Sequence, residues 1–124
     1  MRDFPRRLRL NTQLQAELAM LIRESLSDPR VAGATITSVD VSPDLRNARI
    51  RVSLLADDAC LSVAVAGLNH AAGKLRSALA QRLKLRRVPE LRFVADVELR
   101  QAERVSALIH DAVRRDADKA GRDS

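Results

Sequence analysis

The 124-residue sequence predicts an α+β domain in the order helix, strand, strand, helix, helix, strand, helix. Three observations carry that prediction. Ala48, Ile50, Val52 and Leu54 alternate with Arg49, Arg51 and Ser53, the period of a strand with one buried face. Leu10, Leu14, Leu18, Leu21, Ile22 and Leu26 recur instead at three- and four-residue steps, the period of an amphipathic helix. Leu61, Val65, Leu68, Ala72, Leu75, Leu79 and Leu83 keep that helical step over about six turns.

The elements follow in chain order. The first helix is expected over residues 6–27, and "SDP" at 27–29 stops it, because proline cannot continue a helix and restricts the residue before it. "TITSVDVSPDLRNARIRVSLL", residues 35–55, reads as two strands joined by a tight turn, with "SPD" supplying the turn chemistry. Val39 and Val41 share a face that Ile36 does not, which points to a bulge in the first strand. Asp57 and Asp58 open the next helix as caps. The helical pair is expected at 59–70 and 73–85, meeting near Ala71-Ala72-Gly73. "ELRFVADV" is a third strand with Leu91, Phe93, Ala95 and Val97 on one face. A last helix over 102–115 is expected to bury Val105, Leu108, Ile109 and Val113. Residues 1–115 then form one domain, and "DADKAGRDS" (116–124) a disordered tail.

Composition narrows the function. Hydrophobic residues make up 46% of the chain but aromatics only 2%, so the core must be aliphatic. Single-strand binders that stack bases on exposed aromatics lack their material here, since Trp and Tyr are absent. The formal charge is +6, and it is concentrated. No Asp or Glu occurs from Ala59 to Pro89, while Lys74, Arg76, Arg82, Lys84, Arg86 and Arg87 all do. The remaining 16 Lys and Arg match the 16 Asp and Glu, so the net charge lies in one quarter of the sequence. A polyanionic partner follows, nucleic acid before membrane.

Other classes find little support. Cys60 is single, which removes a disulfide framework or a Cys-based metal site. His70 and His110 are the only histidines, and no Walker or Rossmann glycine pattern is present, so neither enzyme nor cofactor is expected. No apolar run approaches the ~20 residues of a membrane span. The basic N-terminus is interrupted by Gln and Glu where a signal peptide would be apolar. A soluble intracellular protein without a small-molecule substrate is the simplest expectation.

The helical pair is the candidate site. On a helical wheel His70, Lys74, Ser77, Gln81 and Lys84 line up opposite the apolar positions, flanked by Arg76 and Arg87, with Arg86 beside them in sequence. Gly73 leaves the backbone bare where the second helix starts, and a helix N-terminus suits a phosphate. Gly73 as a plain helix cap, and His70 as a merely solvated side chain, stay open. Arg82 lies nearer the apolar side, where its stem covers the core edge. Arg6, Arg7 and Arg9 sit at a helix N-terminal end that disfavours cations, which suggests a second anion contact.

The element order resembles a type II KH domain, an RNA-binding fold whose helical pair is ordinarily joined by a GXXG loop. Here Ala71-Ala72-Gly73, an Ala-X-Gly kink, stands in that place. With "DPR" at 28–30, "VSPDL" at 41–45 running into "ARIRV", "LNHAAGKLRSAL" at 68–79 and "LRRVPELRFVAD" at 85–96, the chain resembles the bacterial ribosome-binding factor A family over residues 6–110. The resemblance implies a cytoplasmic, monomeric assembly factor that binds the immature small (30S) ribosomal subunit and its 16S rRNA. It implies support for late maturation and 5′-end processing without cleavage, and for growth in the cold. A duplex-DNA reader using Gln81 and the arginines, or a basic subunit meeting an acidic protein, are the competing classes.

Overall fold

The structure is a computed structural model that describes residues 3–122, with the side chains of 6–24 and 26–114. Helix α1 (Asp3–Ser25) stops ahead of Pro29, as its sequence requires. A single 3₁₀ turn over Pro29–Val31 follows, capped by Asp28, whose Oδ1 accepts the Arg30 N–H at 2.9 Å. The Arg30 guanidinium also grips both carboxylate oxygens and holds Asp28 below its ordinary pKa. This local clamp sets the chain's direction into the sheet.

Strands β1 (Thr35–Val41) and β2 (Asn47–Ser53) pair antiparallel, and β3 (Glu90–Ala95) pairs parallel to β2, giving the order β1-β2-β3. The bulge is where the hydrophobic pattern puts it, between Ile36 and Ser38. It lets Ile36 face Val52 and Val39 face Ile50 with both β1 side chains buried. At the β1–β2 turn, Leu45 N–H donates to Ser42 O at 2.8 Å, and the Ser42 hydroxyl donates to Asp44 Oδ1 at 2.6 Å. Leu54 falls beyond the end of β2 and is half-buried in the turn that follows.

Two helices cross between the parallel strands. Asp57 caps α2 (Asp58–His70), its Oδ1 accepting the Cys60 N–H at 2.8 Å. Helix α3 (Ala72–Leu83) begins almost at once. Leu68, Leu75 and Leu79 point inward with Leu14 and Leu18 of α1 onto Ile50, Val52 and Phe93 of the sheet. The core is aliphatic apart from Phe93, as the composition demands.

Asparagines close both edges of the sheet. Asn11 Oδ1 accepts the Val41 N–H at 2.9 Å on the β1 edge. On the β3 edge the Asn69 amide accepts from Phe93 N–H at 2.8 Å and donates to Phe93 O at 2.9 Å, a side-chain copy of a strand ladder. Asn69 therefore ties the end of α2 to the middle of β3. Replacing it by Ala leaves two backbone groups unpaired and is expected to cost about 2–3 kcal/mol in urea unfolding, at ~1–1.5 kcal/mol per bond.

The C-terminal part departs from the sequence-based expectation. Strand β3 ends at Ala95, so Val97 does not extend it; Val97 opens helix α4 (Val97–Arg122) and is 60% exposed. Asp96 causes the change, accepting the Leu99 N–H at 3.0 Å and the Thr37 hydroxyl at 2.6 Å, which caps a helix on the bulge of β1. Helix α4 starts before residue 102 and continues to Arg122, through residues expected in the tail. Nor does it bury Val105, Leu108, Ile109 or Val113, which are 55–68% exposed. Polar contacts hold it instead: Arg100 donates to Leu54 O at 3.2 Å, to Ala56 O and to Asp58 Oδ1 at 3.0 Å, and Arg104 pairs with Asp58.

These contacts give α4 a pH dependence. The Thr37 hydrogen bond lowers the pKa of Asp96, and hydrogen bonds from Arg100 and Arg104 lower that of Asp58. A lowered folded-state pKa contributes stability above the unfolded value of 3.8, and that contribution is lost as pH falls through the folded value. Protection from hydrogen exchange at residues 97–104, relative to the intrinsic rate at each pH, is expected to fall below about pH 4, before that of β2. Equal loss of protection in both would contradict this anchoring.

Candidate nucleic-acid interface

At the junction of the helical pair, Ala71 (φ −86°, ψ 0°) ends α2 by donating its N–H to Gly67 O at 3.1 Å. The same residue starts α3 by accepting the Leu75 N–H at 3.0 Å. No side chain caps the new helix. Ala71 and Ala72 are half-buried against the core, while Gly73 is exposed. A Cβ built on Gly73 meets no atom within 4 Å, and its φ is not left-handed, so the protein's own packing does not require glycine there. Packing is tighter at Gly67, whose Cβ would come within 3.1 Å of Val31 Cγ1 where α2 crosses the 3₁₀ turn.

His70, Lys74, Ser77, Gln81 and Lys84 are all exposed, as the wheel predicts. Two members of the proposed set have structural work as well. Arg76 Nε donates to Val88 O at 3.0 Å and ties α3 to the segment leading into β3. Lys84 ends α3 in the left-handed region at φ 51°. That conformation disfavours any residue with a Cβ. Lys84→Gly is thus expected to stabilise the fold by about 1 kcal/mol in urea titration while removing a positive charge. Arg82, read as a stem along the core edge, forms an ion pair with Glu17 of α1 at 2.6 Å.

Six arginines distant in sequence converge. A cleft of about 1340 Å³ opens between α1, the β1–β2 turn and the segment between α3 and β3. Arg6, Arg9, Arg46, Arg76, Arg86 and Arg87 line it, and among the described residues Asp44 and Glu90 are the acids beside them. The Asp44 carboxylate is already engaged by the Ser42 hydroxyl and the Arg46 N–H, which lower its pKa. Among the described residues, Arg6, Arg9, Arg46, Arg86 and Arg87 form no ion pair. Five guanidinium groups left facing one concavity repel each other unless an anion joins them. Arg6 and Arg9 thus line the same cleft as Arg76, Arg86 and Arg87, while Arg7 lies outside its lining.

Arg46 was not singled out by sequence. It reaches the cleft because β2 and β3 are parallel, with Glu90 N–H donating to Arg46 O at 2.8 Å, which puts the start of β2 beside the Arg86-Arg87 segment. No local pattern announces a parallel register. Arg76, three residues after Gly73 on α3, carries the edge of the cleft to within about one helical turn of the Ala71–Gly73 junction along the helix axis.

The family model for ribosome-binding factor A matches residues 6–109. The chain belongs to that family. A ribosome-binding factor A from Nitrosomonas europaea is 43% identical over 112 residues, covering 90% of this chain and 96% of its own. That from Chromohalobacter salexigens is 47% identical over 115 residues, covering 91% and 88%. Among solved structures, the crystal structure of the Thermus thermophilus ribosome-binding factor A superposes with a TM-score of 0.64 at 31% identity, over 72% of this chain and 94% of that one. A homology model of the Thermus thermophilus factor, fitted into a cryo-electron-microscopy map of a 30S–RbfA complex, gives 0.60 at 32% identity, over 69% and 90%. Family membership and the α+β fold with its three-stranded sheet are therefore settled together. Among the described residues no helix is long and apolar enough to cross a membrane.

Proposed function

We propose that this chain is an assembly factor that binds the immature small ribosomal subunit through its 16S rRNA and supports late maturation and 5′-end processing without cutting the RNA itself. The observation that carries this reading is the arginine cleft, whose unpaired guanidiniums call for phosphate. It is supported by the 30S complex of the Thermus thermophilus relative. The β2–α2–α3–β3 unit acts as a type II KH-like domain, with Ala71-Ala72-Gly73 as the Ala-X-Gly kink replacing a GXXG loop. Gly73 lets a sugar-phosphate backbone come close, and His70, Lys74, Ser77, Gln81 and Lys84 line its course along α3. The protein works as a cytoplasmic monomer, holds RNA in one conformation without a cofactor, and supports growth in the cold.

Expression in a bacterium lacking its own family member tests this directly. The chain should restore the mature 16S 5′ end and growth in the cold, and the purified protein should leave precursor RNA intact. Immature 5′ ends that persist when the chain is expressed, or cleavage by the pure protein, would contradict the proposed role.

A further inference from the structure

We propose that the arginine cleft receives an unstacked nucleotide of single-stranded RNA, its flanking phosphates held by Arg6, Arg9, Arg86 and Arg87 and its base and sugar set against Leu10, Leu45 and Leu85. Resting on the RNA-binding reading above, this names the form of RNA that the site selects. Three features of the cleft lead to it.

The first is shape. Duplex RNA is a convex surface met across a wide, shallow groove, mainly through its phosphates and 2′-hydroxyls. Here the cations line a recess instead. Its volume of about 1340 Å³ exceeds the ~300–1,000 Å³ that encloses a drug-sized molecule, so a nucleotide unit can enter.

The second is chemistry. Leu10, Leu45, Leu85 and Val88 share the lining with the six arginines. Leu10, Leu45 and Leu85 are the half-buried edge of the core, and the aliphatic surface they leave in the cleft can take a base, which phosphate alone would not use. Guanidinium planes stack on bases as aromatic rings do, which suits a chain whose one described aromatic side chain, Phe93, is buried.

The third is backbone conformation. Leu45 is held at φ 62°, a region that bulky residues avoid and that Asn or Gly enters readily. The turn's hydrogen bonds, from Leu45 N–H to Ser42 O and within Ser42–Asp44–Arg46, need no leucine side chain. The leucine side chain is half-buried, packs one side against the hydrophobic core and leaves aliphatic surface in the cleft among the arginines. Strained residues of this kind cluster where a ligand is held.

Fluorescence anisotropy with a labelled RNA of about eight nucleotides, within the ~4–16 covered by single-strand binding folds, tests the proposal. The probe is used alone and annealed to its complement. The single strand should bind at least about tenfold tighter than the duplex. R86E/R87E should weaken that binding and flatten its log–log salt slope by about 1.4, at ~0.7 per phosphate contact on a single strand. Leu45→Asn, which tolerates the left-handed backbone, should weaken the single strand several-fold and leave the duplex unchanged. Equal binding of strand and duplex would overturn the proposal, as would wild-type single-strand affinity in a folded Leu45→Asn protein. Sedimentation of the wild-type protein with small subunits separates the two levels. Subunit binding without single-strand preference removes this inference alone, whereas absent subunit binding removes the reading beneath it.

Discussion

Replacing Arg9, Arg46, Arg86 and Arg87 together by Glu is expected to reduce small-subunit binding by at least ~100-fold and to flatten its salt dependence by about 3–4 units of log–log slope. All four side chains are exposed, and among the described residues none forms an ion pair, so folding should not suffer. Four glutamates repel one another as the arginines did and stand beside Asp44 and Glu90, so stability should be equal or slightly lowered. Arg76 is excluded from the set because its bond to Val88 O makes it part of the fold. Affinity and circular dichroism measured on the same preparation decide the matter. Wild-type binding by the folded variant would place the RNA contact elsewhere.

The second large effect separates two glycines that look alike in sequence. Gly67→Leu should destabilise the protein by about 1–3 kcal/mol or more, because even a Cβ lies within 3.1 Å of the buried Val31 side chain. Gly73→Leu enters open space and should be neutral or stabilise α3 by up to ~1 kcal/mol, since leucine is the better helix former. Yet it should weaken subunit binding by about tenfold or more if a sugar-phosphate backbone passes there, as it would block the close approach that glycine permits. Urea unfolding and subunit binding must therefore rank the two variants in opposite orders. The same order in both assays would reduce Gly73 to a helix-junction residue.

Much of this fold was legible because its signals are local and periodic. The alternation from Ala48 to Val52, the heptad-like run through Leu68, Leu75 and Leu79, the Asp57 cap and the bulge near Ile36 each follow from residues close in sequence. The exposed stripe along α3 was equally plain. What sequence could not supply was contact across elements. Arg46 joins the cleft through a parallel pairing, Arg6 and Arg9 through the packing of α1 on the sheet, and neither relation leaves a periodic trace.

The misreading of α4 has a different origin. Its apolar stripe is real, but Asp96, Arg100 and Arg104 fix the helix by its first turns and leave Val105, Leu108 and Ile109 facing outward. Amphipathic spacing shows that one face is apolar; it does not show that the chain itself covers that face. Val97 was misplaced for a related reason. Period-two alternation ran on past Ala95, but the cap chemistry of Asp96 prevailed over it.

The most direct measurement is sedimentation of the purified protein with small subunits, large subunits and bulk transfer RNA at low and moderate salt. Saturable binding to small subunits alone, persisting at the higher salt and abolished by the four-arginine reversal, is the predicted result. Equal, salt-sensitive binding to all three would contradict it, leaving the arginine cleft a generic basic surface.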